Sequence, residues 1–441
     1  MKIHIKGGRL IDPKHGIDRE QDVYIAAGRI VGIGEAPKGY AANRTIDASR
    51  RIVCPGLVDL SARLREPGFE YMATLESEMD AAIAGGVTSL ACPPDTDPPL
   101  DEPGLVEMLK FRAKTLNRAR VYPVGALTEG LKGTRLTEMA ELRDSGCVAF
   151  SQADAPFADH HVLFLAMQYA STFDFPVWLR PQDHALAANG VAHDGQVAAR
   201  LGLPAIPVFA ETAALAVILL LARETGARVH LCRLSSAEGL DMVRRAKADG
   251  LPVTCDIAIH HAHLSEMDIG YFDANCRVVP PFRSQRDREA LRRALADGTV
   301  DALCSDHTPV DEDAKQLPFS EAETGATALE LLLPLTLKWA EESSVPLSTA
   351  LARITSDPAR VLRIDAGHLG MGAAADVCIF DPDRYWKVEP SALRSQGKNT
   401  PYVGYEIRGR VGCTIIDGQV VYEGTAENGG KREAAGALGR R

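Results

Sequence analysis

The sequence predicts an α/β protein with a (β/α)8 TIM barrel and a small β-sandwich domain built from both termini. In the middle of the chain, eight short apolar runs alternate with segments of helical periodicity. Short strand-like runs broken by turn signals occur only towards the two ends. With 441 residues, of which 46% are hydrophobic, the chain is long enough to bury a barrel core and a second, smaller unit.

Residues 1–54 and 366–424 are predicted to form the sandwich. The first segment contains strand-like runs such as Val23-Tyr24-Ile25, and the second contains a longer run with an Asp-Gly turn. Because the same pattern is missing from the middle of the chain, we expect the two segments to pair with each other. Residues 425–441 are rich in Gly, Ala, Lys and Arg, show no periodicity and predict a disordered tail.

Residues 55–365 are predicted to form the barrel. The segment from Thr74 to Ala84 places apolar side chains on one helical face, and Gly85-Gly86 ends that helix. The eight predicted strands are Leu57–Ser61, Val87–Cys92, Val121–Leu127, Cys147–Ser151, Pro176–Arg180, Val229–Arg233, Pro252–Asp256 and Asp301–Ser305. A doubly wound sheet is the alternative, but no glycine-rich phosphate loop follows the first strand.

The composition narrows the classes of partner. A net charge of -10 argues against nucleic acid and anionic membrane surfaces as binding partners, because both attract basic proteins. No apolar run is long enough to span a bilayer. The nine cysteines are scattered without a Cys-x-x-Cys pair, which predicts free thiols in a reducing cytoplasm.

The stretch from Cys54 to Gly68 has the pattern of a buried strand that delivers side chains into a site at its C-terminal end. It strongly resembles the first barrel strand of dihydroorotases in the amidohydrolase superfamily, whose pattern is P-G-x-x-D-x-H-x-H-x-R-E-P-G. The resemblance covers nearly the whole chain and implies an amidohydrolase-type barrel. Further matching motifs, in order, are Gly85–Thr88, Cys92–Pro99, Val279–Arg283, Ser305–Pro309 and Asn399–Pro401.

The resemblance also identifies the positions that hold catalytic zinc in dihydroorotases, and most of them have changed. The two histidines of the first strand are replaced by Ser61 and Arg63. The carboxylates expected after the fourth strand fall on Gln152 and Ala153, and Asp154 lies one residue out of register. The histidines of the fifth and sixth strands are replaced by arginines, and only the aspartate of the eighth strand remains, so the rest of the degenerate site is Arg180, Arg233 and Asp306.

These replacements predict a dead site without zinc or any other cofactor. An arginine accepts no metal, and one guanidinium about 4 Å from a divalent cation would cost about 8 kcal/mol at an effective dielectric constant near 20. We expect Arg63, Arg180 and Arg233 to pair with Asp306 and to fill the cavity. The alternative is a relocated metal that uses Asp154 or the histidines among residues 260–263.

An anion site is a second alternative for the same residues. Arg65 occupies the position at which active relatives bind the substrate carboxylate, although it could equally pair with Glu66 or a neighbouring strand end. Asp95 replaces the asparagine that makes the other carboxylate contact, and it would repel an anionic substrate. Guanidinium groups do bind anions, and the hypothetical anion site consists of Arg65, Arg63, Arg180 and Arg233.

The resemblance implies a function without catalysis. Some bacteria carry an inactive dihydroorotase homologue that binds aspartate carbamoyltransferase, and this chain is similar in its lost zinc ligands. We therefore expect a cytoplasmic pseudoenzyme that supports assembly or activity of that transferase in pyrimidine biosynthesis, within a hetero-oligomer that includes contacts between its own copies. The alternatives are an active cyclic amidohydrolase with a relocated or absent metal and an anion-binding regulatory module. The apolar run Ala213–Leu221 predicts a packed barrel helix or an intersubunit face.

Overall fold

Strands at the amino-terminal end begin two β-sheets in the computed structural model, which describes residues 1–424. In β1 (Lys2–Lys6), polar and apolar residues alternate, so that Ile3 and Ile5 are buried on the same side. The six strands that follow are β2 (Arg9–Asp12), β3 (Ile17–Glu20), β4 (Val23–Ala26), β5 (Arg29–Ile33), β6 (Arg44–Asp47) and β7 (Ile52–Pro55).

Eight parallel strands form the barrel, as predicted, and each overlaps one of the eight predicted runs. They are β8 (Leu57–Asp59), β9 (Val87–Cys92), β10 (Arg120–Ala126), β11 (Ala149–Ser151), β12 (Val177–Leu179), β15 (Val229–Leu231), β16 (Val253–Ala258) and β17 (Ala302–Cys304), while β13 (Ala192–His193) and β14 (Ala205–Ile206) pair separately. The first and last barrel strands meet just beyond their C-terminal ends, where Ala62 bridges to His307. The Arg63 amide donates to the His307 carbonyl there at 2.9 Å, so closure of the barrel brings residues near positions 61 and 306 together.

The last three strands complete a β-sandwich from both termini, which confirms that prediction. They are β18 (Val377–Lys387), β19 (Glu406–Ile416) and β20 (Gln419–Glu423). The larger sheet has the order β20-β19-β18-β7-β2-β3, and the smaller one has the order β5-β4-β1-β6. Side chains such as Ile5, Leu10, Val377 and Ile415 form the core between the two sheets. The predicted tail, residues 425–441, lies outside the described residues.

Thirteen α-helices occur in the described part of the chain. They are α1 (Leu75–Ala84), α2 (Pro103–Leu116), α3 (Met139–Ser145), α4 (His160–Thr172), α5 (His184–Ala187), α6 (Gln196–Leu201), α7 (Val208–Thr225), α8 (Ala237–Ala248), α9 (Gln285–Asp297), α10 (Glu312–Lys315), α11 (Leu332–Glu342), α12 (Leu347–Ala352) and α13 (Ser356–Leu362). Thr74 caps α1 by accepting from the Ser77 amide, and Gly85 ends the helix as predicted. Between residues 1 and 424, no helix is both long and apolar enough to cross a membrane.

Helix α7 uses its two faces differently. Leu215 and Ile218 are buried in the main hydrophobic core, whereas Phe209 and Leu220 remain 56% and 55% exposed. The helix is therefore packed against the barrel on one side, as one of the two predictions for it required, and carries exposed apolar side chains on the other.

Glu211 of α7 holds the segment that follows β15. Its carboxylate accepts hydrogen bonds from the backbone amides and hydroxyl groups of Ser235 and Ser236, at 2.5 to 3.1 Å. Glu211 is only 3% exposed, so these four donors satisfy a charge that would otherwise be costly to bury. Because Arg233 lies two residues before Ser235, this interaction also fixes one side of the site described below.

Replacing Glu211 with glutamine is expected to lower the free energy of unfolding by about 2 kcal/mol, because hydrogen bonds to a charged acceptor are lost and an amide NH2 faces backbone N–H groups. Urea unfolding followed by circular dichroism measures this. Glu224→Gln, at an exposed position of the same helix, is the control and should change stability by about 0.5 kcal/mol or less. Equal effects of the two substitutions would contradict the assigned role.

Candidate functional site

Polar and charged side chains from several strands meet at the C-terminal end of the barrel, where sites on this fold lie. Each follows its strand by a few residues, so the parallel strands deliver the side chains to one place. They are Ser61 and Arg63 after β8, Asp95 after β9, Asp154 after β11, Arg180 after β12, Arg233 after β15 and Asp306 after β17. We refer to Arg63, Arg180, Arg233, Asp154 and Asp306 as the arginine–aspartate cluster.

Asp154 is the centre of this cluster. Its Oδ2 accepts from Arg63 Nη2 at 2.9 Å, and its Oδ1 accepts from Arg233 Nη2 at 2.5 Å. Arg180 donates through Nε to the same Oδ1. One carboxylate therefore contacts all three guanidinium groups, each of which is more than nine-tenths buried.

Asp306 contacts two of the three arginines. Its Oδ1 lies 3.4 Å from Arg63 Nη1 and 3.2 Å from Arg233 Nη1, and Ser61 Oγ donates to the same oxygen at 3.4 Å. The prediction that all three arginines pair with Asp306 is wrong for Arg180, which pairs with Asp154 instead. The reason is the strand order: β12, which carries Arg180, lies next to β11 and far from β17 in the sheet.

The positive charges in the cluster are matched by carboxylates. Arg63 Nε donates to Asp95 Oδ2 at 2.8 Å, so that Asp95 joins Asp154 and Asp306 as a third acidic partner. Asp95 is thus the counterion of Arg63 in this structure, a role that its motif position did not indicate.

The two central aspartates differ in their acidity. Burial alone would raise the pKa of Asp154, but Arg233, Arg180 and Arg63 outweigh it and hold that pKa well below its ordinary value. Burial raises the pKa of Asp306, and the opposing effects of Arg233 and Arg63 do not fully compensate for it. Asp154 therefore carries the firmer negative charge of the two.

Left-handed backbone turns aim several of these side chains. Ala153, Arg233 and Asp306 have φ values of 51°, 54° and 47°, and Arg65 has a φ of 63°. Such values are uncommon for residues other than glycine. The turn at Ala153 places the next residue, Asp154, in the cluster. In the sequence, Asp154 lies one residue out of register with the motif, so the motif alone did not establish that Asp154 belongs to the site.

Two predicted site residues make contacts outside the cluster. Gln152 accepts from Thr128 Oγ1 and donates to the Leu131 carbonyl, both at 2.9 Å. Arg65 donates through Nε to the Pro309 carbonyl at 2.8 Å, which is a contact with a neighbouring strand end rather than with Glu66. Neither residue shares a hydrogen bond with the three clustered arginines.

The residues present do not fit a catalytic zinc ion. Guanidinium nitrogens offer no lone pair to a metal, and the carboxylates that could bind one already accept hydrogen bonds from Arg63 and Arg233. Within the cluster lies a cavity of about 30 Å³, lined by its three arginines and in part by Ser61 and Asp256, which is room for roughly one water molecule.

The histidines proposed as replacement ligands are buried, and two of them use one ring nitrogen on a backbone carbonyl, whereas neither ring nitrogen of His260 has a hydrogen-bond partner among the described residues. His261 Nε2 lies 3.0 Å from the Pro280 carbonyl, and His263 Nε2 lies 2.9 Å from the Leu335 carbonyl. His260 stacks on the ring of Tyr402. Burial lowers the pKa of His260 to about 3 and the pKa values of His261 and His263 to about 4.

One other group among the described residues has potential metal ligands close together. The ligand atoms of His230, Cys232 and Asp256 lie within 4.8 Å of one another. His230 already contacts Asp256 at 3.0 Å and Thr254 Oγ1 at 2.8 Å, and Asp256 Oδ1 accepts from the Arg233 amide at 2.6 Å. These contacts tie the strands together and support the turn that carries Arg233.

Asp154→Asn is expected to lower the free energy of unfolding by about 2 kcal/mol, because it leaves three buried guanidinium groups without their shared charge. Breaking a fully buried pair costs about 3–5 kcal/mol, and the 34% exposure of Asp154 reduces that figure. Asp174→Asn is the matched control, since Asp174 also joins two arginines but is 56% exposed. Urea unfolding should show a clearly smaller loss for the control, and equal losses would refute a special role for Asp154.

The stability difference between wild type and Asp154→Asn should depend on pH in one direction. Because the folded-state pKa of Asp154 lies below its unfolded value of about 3.9, its contribution is complete above that value and is lost as pH falls through the folded-state pKa. Unfolding midpoints measured from about pH 8 to pH 5 should differ by a constant amount. Below about pH 4 the two proteins should converge, and a gap that widens with acid would contradict the assignment.

Two family models match the chain. The model described as "Dihydro-orotase-like" matches residues 50–239, and the model described as "Amidohydrolase family" matches residues 186–421. Together they span the barrel and the sandwich strands β7, β18 and β19, in agreement with the motif resemblance.

Curated relatives and solved structures agree with these matches. The chain is 46% identical to a "Dihydroorotase-like protein" of Pseudomonas aeruginosa, over 96% of this chain and 100% of that one. It is 41% identical to a "Dihydroorotase" of Syntrophotalea carbinolica, over 96% and 99% of the two chains. The L-hydantoinase (dihydropyrimidinase) of Arthrobacter aurescens has a similar structure, with a TM-score of 0.85, 26% identity and 96% of each chain covered. The chain therefore belongs to the amidohydrolase family and, within it, to the dihydroorotase-like proteins.

Proposed function

We propose that this chain is a noncatalytic dihydroorotase-like subunit that binds aspartate carbamoyltransferase and supports its assembly or activity in pyrimidine biosynthesis. One observation carries the noncatalytic part: three guanidinium groups, from Arg63, Arg180 and Arg233, fill the place at which the family resemblance puts metal ligands. The proposal includes the absence of bound zinc.

Loss of catalysis follows from what the cluster leaves available. Without a metal, water keeps its ordinary acidity, and an aspartate at the position of Asp306 has no activated water to deprotonate. Asp306 itself accepts hydrogen bonds from Arg63 and Arg233. The same pairing argues against an anion site between the arginines, because Asp95, Asp154 and Asp306 already neutralise them.

The partner is inferred from the family resemblance. Two Pseudomonas relatives, 46% and 44% identical, carry the name "Dihydroorotase-like protein". Outward-facing apolar side chains such as Phe209 and Leu220 on α7 are compatible with a subunit that is covered in an assembly. We also place the chain in the cytoplasm, which its nine unpaired cysteines support.

An active cyclic amidohydrolase is the competing function, and one observation favours it. Relatives that are 38–41% identical over 96% of this chain carry the name "Dihydroorotase". This alternative requires bound zinc, hydrolysis of a cyclic amide, and loss of that hydrolysis in Asp306→Asn.

The deciding experiment is co-expression of the chain with the aspartate carbamoyltransferase of the same organism, beside expression of each protein alone. Light scattering gives the mass of the complex, and both enzymatic activities and the zinc content are measured on the same sample. We expect a large complex, transferase activity that depends on this chain, no dihydroorotase turnover and no stoichiometric zinc.

The two halves of the proposal can fail separately. A zinc-loaded protein that hydrolyses dihydroorotate, with activity lost in Asp306→Asn, would establish the enzyme instead. A metal-free, inactive protein that forms no complex with the transferase would leave a pseudoenzyme but refute the proposed partner.

A further inference from the structure

A second cavity lies beside the arginine–aspartate cluster, between the segments that follow β11 and β12 and the helices α4 and α7. Its volume is about 240 Å³, against about 30 Å³ for the cavity within the cluster. Leu163 of α4 and Val217 and Ile218 of α7 line one side of it, while Arg180 and Gln182 line another. It therefore combines an apolar wall with polar groups, as small-molecule sites do.

Arg180 is a charged donor at the cavity, and not all of its nitrogens donate hydrogen bonds within the protein. It contacts Asp154 through Nε and Gln182 Oε1 through Nη1 at 2.5 Å. Among residues 1–424, its Nη2 donates no hydrogen bond, although the side chain is only 4% exposed. An acceptor in the cavity would pair with Nη2 without breaking the contacts of Arg180 with Asp154 and Gln182.

Other polar groups at the cavity define the charge of a suitable ligand. Gln182 uses its oxygen for Arg180, which leaves its Nε2 as a second donor. The first turn of α4 reaches the cavity at His160, but the carboxylate of its N-cap, Asp159, already accepts from the Val162 amide at this helix end. Asp183 also lines the cavity and disfavours a ligand with more than one negative charge. The balance favours a single carboxylate.

We propose that this cavity binds a small monocarboxylate with an apolar body, the carboxylate accepting from Arg180 and Gln182 and the body packing on Val217 and Ile218. Guanidinium–carboxylate contacts are among the stronger hydrogen bonds in proteins, and the apolar wall adds the burial of a ring or branched chain. This site is separate from the neutralised centre of the cluster, and it does not depend on the partner proposed above.

The probe is 3-phenylpropionate, titrated into the full-length protein and followed by isothermal calorimetry and ligand-observed NMR. We expect a Kd of about 0.1–1 mM. The neutral 3-phenylpropanamide should bind about tenfold more weakly, because the charge-assisted contact with Arg180 is lost. Inorganic phosphate should not compete, because it lacks an apolar body and carries more charge. Titration with L-phenylalanine tests whether the site prefers a plain carboxylic acid or an amino acid. Tighter binding of L-phenylalanine would support the site and would indicate that Asp183 binds the ammonium group.

Two variants test the location of the site. Ala214→Phe, within the cavity wall, should weaken binding of 3-phenylpropionate at least about tenfold. Ala216→Phe, on the exposed side of the same helix, is the matched control and should leave the Kd unchanged. Arg180→Lys keeps the charge next to Asp154 but removes the free Nη2, and should also weaken binding. No binding by the wild type, or equal binding by Ala214→Phe and Ala216→Phe, would overturn the proposal, as would phosphate binding as tightly as the acid.

Discussion

The shared contact of three buried guanidinium groups with Asp154 is the interaction on which the functional end of this protein depends. Three like charges so close together would repel one another strongly in a medium of low dielectric constant. They are stable here because Asp154 lies between them and Asp95 and Asp306 complete the charge balance. The strand ends that carry them are held in turn by Glu211 and by the backbone contact between Arg63 and His307.

The same interaction lies where the strands of the family's barrel converge. The barrel, its closure and the sandwich are those of an amidohydrolase, so the strands still converge on a site. The side chains that converge in this chain are arginines and their counterions, which stabilise one another. A scaffold of this kind keeps its shape and its surfaces, which is what a role in an assembly requires.

Neutralisation at the centre also explains where a ligand could bind. Arg63 donates through all three of its nitrogens to aspartates and the Thr308 hydroxyl, and both Nη atoms of Arg233 donate to aspartates or to the Val279 carbonyl. Arg180 lies at the edge of the cluster and faces a larger cavity with an apolar wall. The proposed ligand site therefore lies next to the arginine–aspartate cluster and uses Arg180 alone rather than all three arginines.

Sequence alone determined the eight barrel strands, the sandwich of both termini, and the replacement of histidines by Arg63, Arg180 and Arg233, because periodicity and motif spacing are local properties of the chain. It did not determine the pairing within the cluster. Whether an arginine meets Asp154 or Asp306 depends on which strands are neighbours, and the position of Asp154 depends on a left-handed turn at Ala153 that no residue type announced. The cavity beside Arg180 likewise exists only because helices α4 and α7, far apart in the chain, pack beside the same strand ends. These features were decided by tertiary structure, since each is a contact between segments that the linear sequence keeps apart.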